Sequence, residues 1–195
     1  MIRQIKNGEL YFDGCSTLEL AEKYGTPLYV LSETDIVSRF SELRECFTDK
    51  YPDTRVAYAA KAFSTMAMYR LCQREGACID VVSAGELYTA IKAGFPPEMI
   101  EFNGNNKLPY EIEMALDYGI GRFIVDGLGE TDLIEAICRE KGKKASILFR
   151  ITPGVKSDSH DYIVTGKKDS KFGIPLDEEV LYPQIEKAIA SEYID

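Results

Sequence analysis

Apolar positions between residues 56 and 151 follow two alternating rhythms. Short β-prone stretches occur at RVAYAAK (Arg55–Lys61), ACIDVVS (Ala77–Ser83), MIEFNG (Met99–Gly104), RFIVDG (Arg122–Gly127) and ASILFRI (Ala145–Ile151). Their centres lie about 21 to 24 residues apart, and helical patterns fill the intervals. Ser83-Ala84-Gly85-Glu86 is a capping box opening a helix with Leu87, Ala90 and Ile91 on one face, and Gly94 closes it. Pro109 starts the next helix, striped by Ile112, Ala115 and Leu116 and ended at Gly119. Thr131 to Lys141 repeats the plan with Ile134, Ile137 and Cys138, stopping at Gly142. Mostly apolar strands alternating with amphipathic helices predict an α/β fold, a parallel sheet covered by helices.

Residues 1–54 break the rhythm. ELYFDG and TPLYVLS are expected as strands around a short helix (Ser16 to Tyr24), and Glu33 to Phe47 as a longer helix capped near Ser32. The expected division is a lead-in, residues 1–31, that packs on a second domain, and a barrel-like segment, residues 32–195.

Five βα units suit either an open doubly wound sheet or part of a (β/α)8 barrel. No Gly-x-Gly-x-x-Gly follows a strand and no G-x-x-x-x-G-K-[ST] occurs, so nucleotide binding loses its main support. The even spacing favours the barrel, where chemistry sits at the strand C-termini. Each strand here ends on polar residues: Lys61, Asp80 to Ser83, Asn103 to Asn106, Asp126, and Arg150 to Thr152. Five strands where eight are needed predict an incomplete barrel, the front part of a longer protein.

Composition narrows the partners. The chain has 195 residues, with 32 acidic against 23 basic side chains and a net charge of −9, which argues against nucleic-acid binding. No apolar run approaches the roughly 18 residues of a membrane span. The five cysteines form no C-x-x-C pair and His160 is the only histidine, so no metal site is expected and the cytoplasm is the expected compartment.

Four stretches, in order, resemble the fold-type III decarboxylases that use pyridoxal phosphate (PLP). They are TPLYVLSE; YAAKAF, similar to a Y-A-x-K-A-N lysine motif with Phe63 in place of asparagine; IDVVSAGELYTAIKAGFPPEMIEFNGNNK; and RITPGVKSDSHDYIVTGKKDSKFGI. The resemblance runs from about Thr26 to Ile174 and implies a PLP-binding (β/α)8 barrel. It also implies a homodimer with shared active sites, and a C-terminal β domain beyond residue 195. By position, Lys61 would carry PLP covalently, which requires an amine that burial among Ala59, Ala60 and Ala62 helps keep neutral. Its ordinary alternative is a lysine reaching into solvent from a strand end. Asp80 would lie near the lysine and cofactor, or is a plain loop carboxylate. Arg150 would approach the ring's phenolic oxygen, or forms a surface salt bridge. His160 would belong to an active-site loop, Lys156 to Asp169, or is a loop residue without catalytic duty, and Lys171 would belong to the dimer interface, or is a surface lysine preceding a helix.

The implied activity is decarboxylation of meso-2,6-diaminopimelate to L-lysine. The substrate-selecting groups would lie beyond residue 195, so other basic amino acids or polyamine precursors stay open as substrates. A non-catalytic PLP-binding relative and a racemase on the same barrel are the remaining alternatives.

Overall fold

The computed structural model describes residues 2–154 and 172–195. The chain divides into two compact units, Met1–Val56 and Ala57–Asp195. The first opens with β1 (Arg3–Lys6), antiparallel to β2 (Glu9–Phe12), which pairs in turn with β3 (Cys15–Ser16). Asn7-Gly8 and Asp13-Gly14 supply successive positive φ angles, 53° and 82°, then 46° and 81°. Two-residue hairpin turns need that backbone, and Asn, Asp and Gly adopt it at least cost. Ser16 caps α1 (Thr17–Tyr24) by accepting from the Glu19 amide at 3.1 Å, and Ser32 caps α2 (Glu33–Leu43) by accepting from the Asp35 amide at 3.0 Å. A π turn, Arg44–Thr48, follows α2.

Two features of this unit depart from expectation. Apolar patterning misses β1, whose four residues are all exposed, and only the Asn-Gly turn announces it. Residues 26–32 form no strand: Leu28, Tyr29, Val30 and Leu31 are exposed, Tyr29 at 96%. A strand exists only where a neighbour takes up its amides and carbonyls, and none of the described residues does so here.

The second unit is built on a five-stranded parallel sheet: β4 (Ala57–Ala59), β5 (Cys78–Val81), β6 (Ile100–Phe102), β7 (Arg122–Val125) and β8 (Ile147–Phe149). Between them run α3 (Met66–Arg74), α4 (Ala84–Ala93), α5 (Pro109–Tyr118) and α6 (Glu130–Lys141). Gly94, Gly119 and Gly142 cap the last three in the left-handed conformation, as the sequence predicts. Strand order follows chain order without reversal. A doubly wound sheet reverses at a switch point, whereas an arc of a barrel adds every strand on the same side. The arrangement is therefore consistent with a barrel arc.

The pairing register separates the sheet into two chemically different faces. One carries Ile79, Val81, Ile100, Phe102, Phe123 and Val125, all buried with Tyr69, Leu87, Ile112 and Ile134 from the helices. Phe102 and Phe123 stack at 6.2 Å between centroids. The other carries Ala57, Ala59, Asp80, Glu101 and Arg122, all exposed or half-buried. Charged groups on one face of a parallel sheet mark a polar interior rather than a second helix layer.

Beyond Arg150, β9 (Ile151–Thr152) pairs in parallel with β10 (Ile174–Pro175). Then α7 (Glu178–Ala190) leads to Ile194, which bridges Ala145 in parallel alongside the start of β8.

Candidate active site at the strand ends

β4 runs directly into one 3-10 turn, Ala60–Ala62. Ala60 is completely buried, whereas Lys61 is exposed. The expected burial of Lys61 among alanines is not what the structure has. β4 is an edge strand, hydrogen-bonded only to β5 among the described residues.

Asp80 stands beside this turn, opposite Ala59 in the β4–β5 register. Its Oδ1 is buried without a hydrogen-bond partner among the described residues. Burial pushes the carboxyl above its ordinary value, a hydrogen bond from Asn103 opposes the rise, the Glu101 charge adds to it, Lys61 opposes it and Glu86 adds to it. Lys61 and Asp80 are thus electrostatic neighbours on adjoining strands.

Arg150 belongs to a second cluster at the ends of β7 and β8. Its Nη1 donates to Asp126 Oδ1 at 2.7 Å, and its guanidinium lies 4.5 Å from the Phe172 ring centroid. Asp126 is buried, with its other oxygen accepting from the Gly173 amide at 3.3 Å. No contact joins Arg150 to Lys61 or Asp80 among the described residues. His160 and Lys171 lie outside the described residues.

Buried and half-buried carboxylates from the helix starts tie these loops together. Glu86 accepts from the Val82 amide at 2.8 Å. Glu111 accepts from Leu108 at 2.9 Å and from Ala84, one βα loop earlier, at 2.8 Å. Glu130 accepts from the Asp126 amide at 3.0 Å and from Lys107 Nζ at 2.6 Å. Sequence reasoning passes over Lys107, Glu111 and Glu130. A glutamate in the first turn of a helix was a usable signal for both carboxylates, but nothing in the pattern marks Lys107 as buried.

The groups suit a pyridoxal cofactor. A primary amine stands beside a carboxylate oxygen that lacks a donor, next to sheet positions kept small by Ala57 and Ala59. A guanidinium stands ready at a further strand end.

Residues 33–195 match the family described as the pyridoxal-dependent decarboxylases, pyridoxal binding domain. Among curated proteins, the chain is 48% identical over 192 residues to the diaminopimelate decarboxylase of Bacillus subtilis, covering 98% of this chain and 44% of that protein. It is 47% identical over 190 residues to that of Bacillus methanolicus, covering 97% and 44%. Among solved structures, the diaminopimelate decarboxylase of Methanocaldococcus jannaschii in complex with L-lysine superposes with a TM-score of 0.89 at 40% identity, covering 99% of this chain and 45% of that one. The chain spans less than half the length of these relatives. Over the part it spans, the parallel sheet and the family match coincide, and the chain belongs to the pyridoxal-dependent decarboxylases through their pyridoxal binding domain.

Proposed function

We propose that the full-length protein is a PLP-dependent decarboxylase converting meso-2,6-diaminopimelate to L-lysine. The observation that carries this reading is Lys61 at the C-terminal end of β4, beside a carboxylate whose buried oxygen has no partner. Names support the substrate: the relatives at 47–48% identity are diaminopimelate decarboxylases. A lysine/ornithine decarboxylase from Vibrio vulnificus matches at only 25% identity with a TM-score of 0.58.

In this reading Lys61 would hold the cofactor covalently through its Nζ. PLP supplies an electron-accepting ring for the pair left when carbon dioxide departs. Asp80 Oδ1 offers the acceptor that fixes the orientation of a donor placed against it. Arg150, held by Asp126, presents a guanidinium that binds an anionic oxygen without giving up a proton. Lys61 Nζ would also be placed to carry a proton at the strand end. His160 would serve in the active site, and Lys171 at a homodimer interface. Residues 1–31 pack on a C-terminal β domain, residues 32–195 form part of the barrel, and the enzyme works in the cytoplasm.

The test is to incubate the full-length protein with PLP, reduce with borohydride and map the peptides, then assay carbon dioxide release. A single pyridoxyl group on Lys61, with release from diaminopimelate in excess over lysine and ornithine, is the expected result. Label on another residue sinks the assignment of Lys61. Label on Lys61 without carbon dioxide release points to a cofactor-carrying regulator.

A further inference from the structure

Lys107 is the most deeply buried cation among the described residues whose ion pairs are given, its side chain only 1% exposed. Its Nζ donates to three acceptors: Gly104 O at 2.9 Å, Ile124 O at 2.7 Å and Glu130 Oε1 at 2.6 Å. An ammonium has three N–H bonds, so all are used and none is left for a reacting group. The three acceptors come from the turn after β6, the end of β7 and the first residue of α6. A buried ion pair of this kind is poor value as a source of stability, because desolvation cancels most of the attraction. What it does well is fix one geometry.

The turn it fixes is Asn103-Gly104-Asn105-Asn106. On one side Lys107 grips the Gly104 carbonyl. On the other the turn lies hard against β5: the Asn103 amide donates to Val81 O at 2.8 Å, and a Cβ on Gly104, whose φ is +110°, would sit 3.1 Å from Val82 O. Within the turn Asn103 Oδ1 accepts from the Gly104 amide at 3.0 Å. That leaves the Asn103 Nδ2 group as the donor to Asp80. Contacts therefore lead from Glu130 through Lys107 and the turn to Val81 on β5, next to Asp80, and the Asn103 side chain is the remaining link to Asp80 itself.

We infer that Lys107 is a positioning residue for the site: it clamps the turn after β6 so that the Asn103 amide holds the Asp80 carboxylate at the Lys61 strand end. This inference rests on the reading of Lys61 and Asp80 given above. The charged and polar groups that act on Asp80 are Lys61 after β4, Asn103 and Glu101 from β6 and its turn, and Glu86 from α4. Of these, only Asn103 sits in the segment that Lys107 clamps.

The experiment uses full-length protein without cofactor, labelled with carboxyl-13C aspartate, with the Asp80 resonance assigned by Asp80→Asn. Its titration is compared in the wild type, Asn103→Ala, Lys107→Met and the double variant. Loss of one hydrogen bond to a carboxylate raises its midpoint by about one pH unit. Asn103→Ala and Lys107→Met are each expected to give that rise, and the double variant no more than Asn103→Ala alone. The pH midpoint of the bound cofactor's absorbance should move in the same variants. An Asp80 midpoint that moves in Asn103→Ala but stays put in Lys107→Met makes Lys107 merely structural and overturns the inference. If Lys107→Met does not fold, Gly104→Ala decides, since its Cβ displaces the turn from the Val82 side without touching the ion pair. An unmoved midpoint there overturns the inference equally. Movement of Asp80 together with no borohydride label on Lys61 would sink the cofactor reading and leave the clamp standing, so the two failures are distinguishable.

Discussion

The Arg150–Asp126 pair is lopsided, and that makes a sharp prediction. Asp126 has a side chain 1% exposed, whereas that of Arg150 is 32% exposed. Truncating either residue breaks the same 2.7 Å contact, but the charge left behind differs. Among the described residues, Arg150→Ala strands a carboxylate in the interior with only the long Gly173 amide bond, at 3.3 Å, to solvate it. Removing one partner of a buried pair costs about 3–5 kcal/mol, and the surviving amide bond puts this case near the low end, at about 3 kcal/mol. Asp126→Ala strands a guanidinium that water can reach, so the loss is closer to that of one charge-assisted hydrogen bond, about 1.5–2 kcal/mol. The double variant should cost less than the sum by about 1.5 kcal/mol, the coupling between the two. Urea unfolding of the cofactor-free, full-length protein at pH 8 measures all four corners of the cycle. The reasoning fails if Asp126→Ala is the more damaging single change, or if the coupling is under about 0.5 kcal/mol.

Two further outcomes follow from geometry given above. Asp80 has its folded-state pKa raised from 3.8, so its carboxylate costs stability above the raised value, and the cost vanishes as the pH falls through that value toward 3.8; Asp80→Asn should therefore be more stable than wild type at pH 7 without cofactor, with the difference closing in acid, and parallel pH curves would refute this. Gly121→Ala should cost about 3 kcal/mol in the same urea assay, the upper end of overpacking, because its Cβ would lie 2.4 Å from Glu98 O and 2.9 Å from the Glu98 carbonyl carbon, both backbone atoms; a loss under about 1 kcal/mol would show that the Pro97–Met99 turn yields easily.

Legibility from the sequence followed the physics of each element. The βα rhythm was readable because strands buried under helices must be apolar, and because Ser83, Gly94, Pro109 and Gly119 have local conformational reasons for standing where they do. Helix starts at Ser16 and Ser32 were readable for the same reason. Residues 26–32 read as a strand from their apolar content, but forming one depends on a partner that composition cannot supply. The strand-end positions of Lys61, Asp80 and Arg150 were legible, since polar residues closing apolar strands stand out. The company they keep was not. Asp126 as the acceptor for Arg150, and Lys107 set among Gly104, Ile124 and Glu130, are contacts between separate loops with no periodic signature.

The glutamates at the starts of α4, α5 and α6 also bear on how such a scaffold can be re-engineered. Glu111 bonds an amide one βα loop before its own, and Glu130 bonds a lysine one loop before its own. The loops after β5 and β6 are thus each partly built by the helix that follows the next strand. A graft that replaces one loop while keeping its neighbours would import a backbone whose donors no longer meet their acceptors. The natural module for exchange is staggered: a loop together with the first turn of the helix one unit further along. Libraries cut at those staggered boundaries should retain folded members that libraries cut at strand–helix junctions lose.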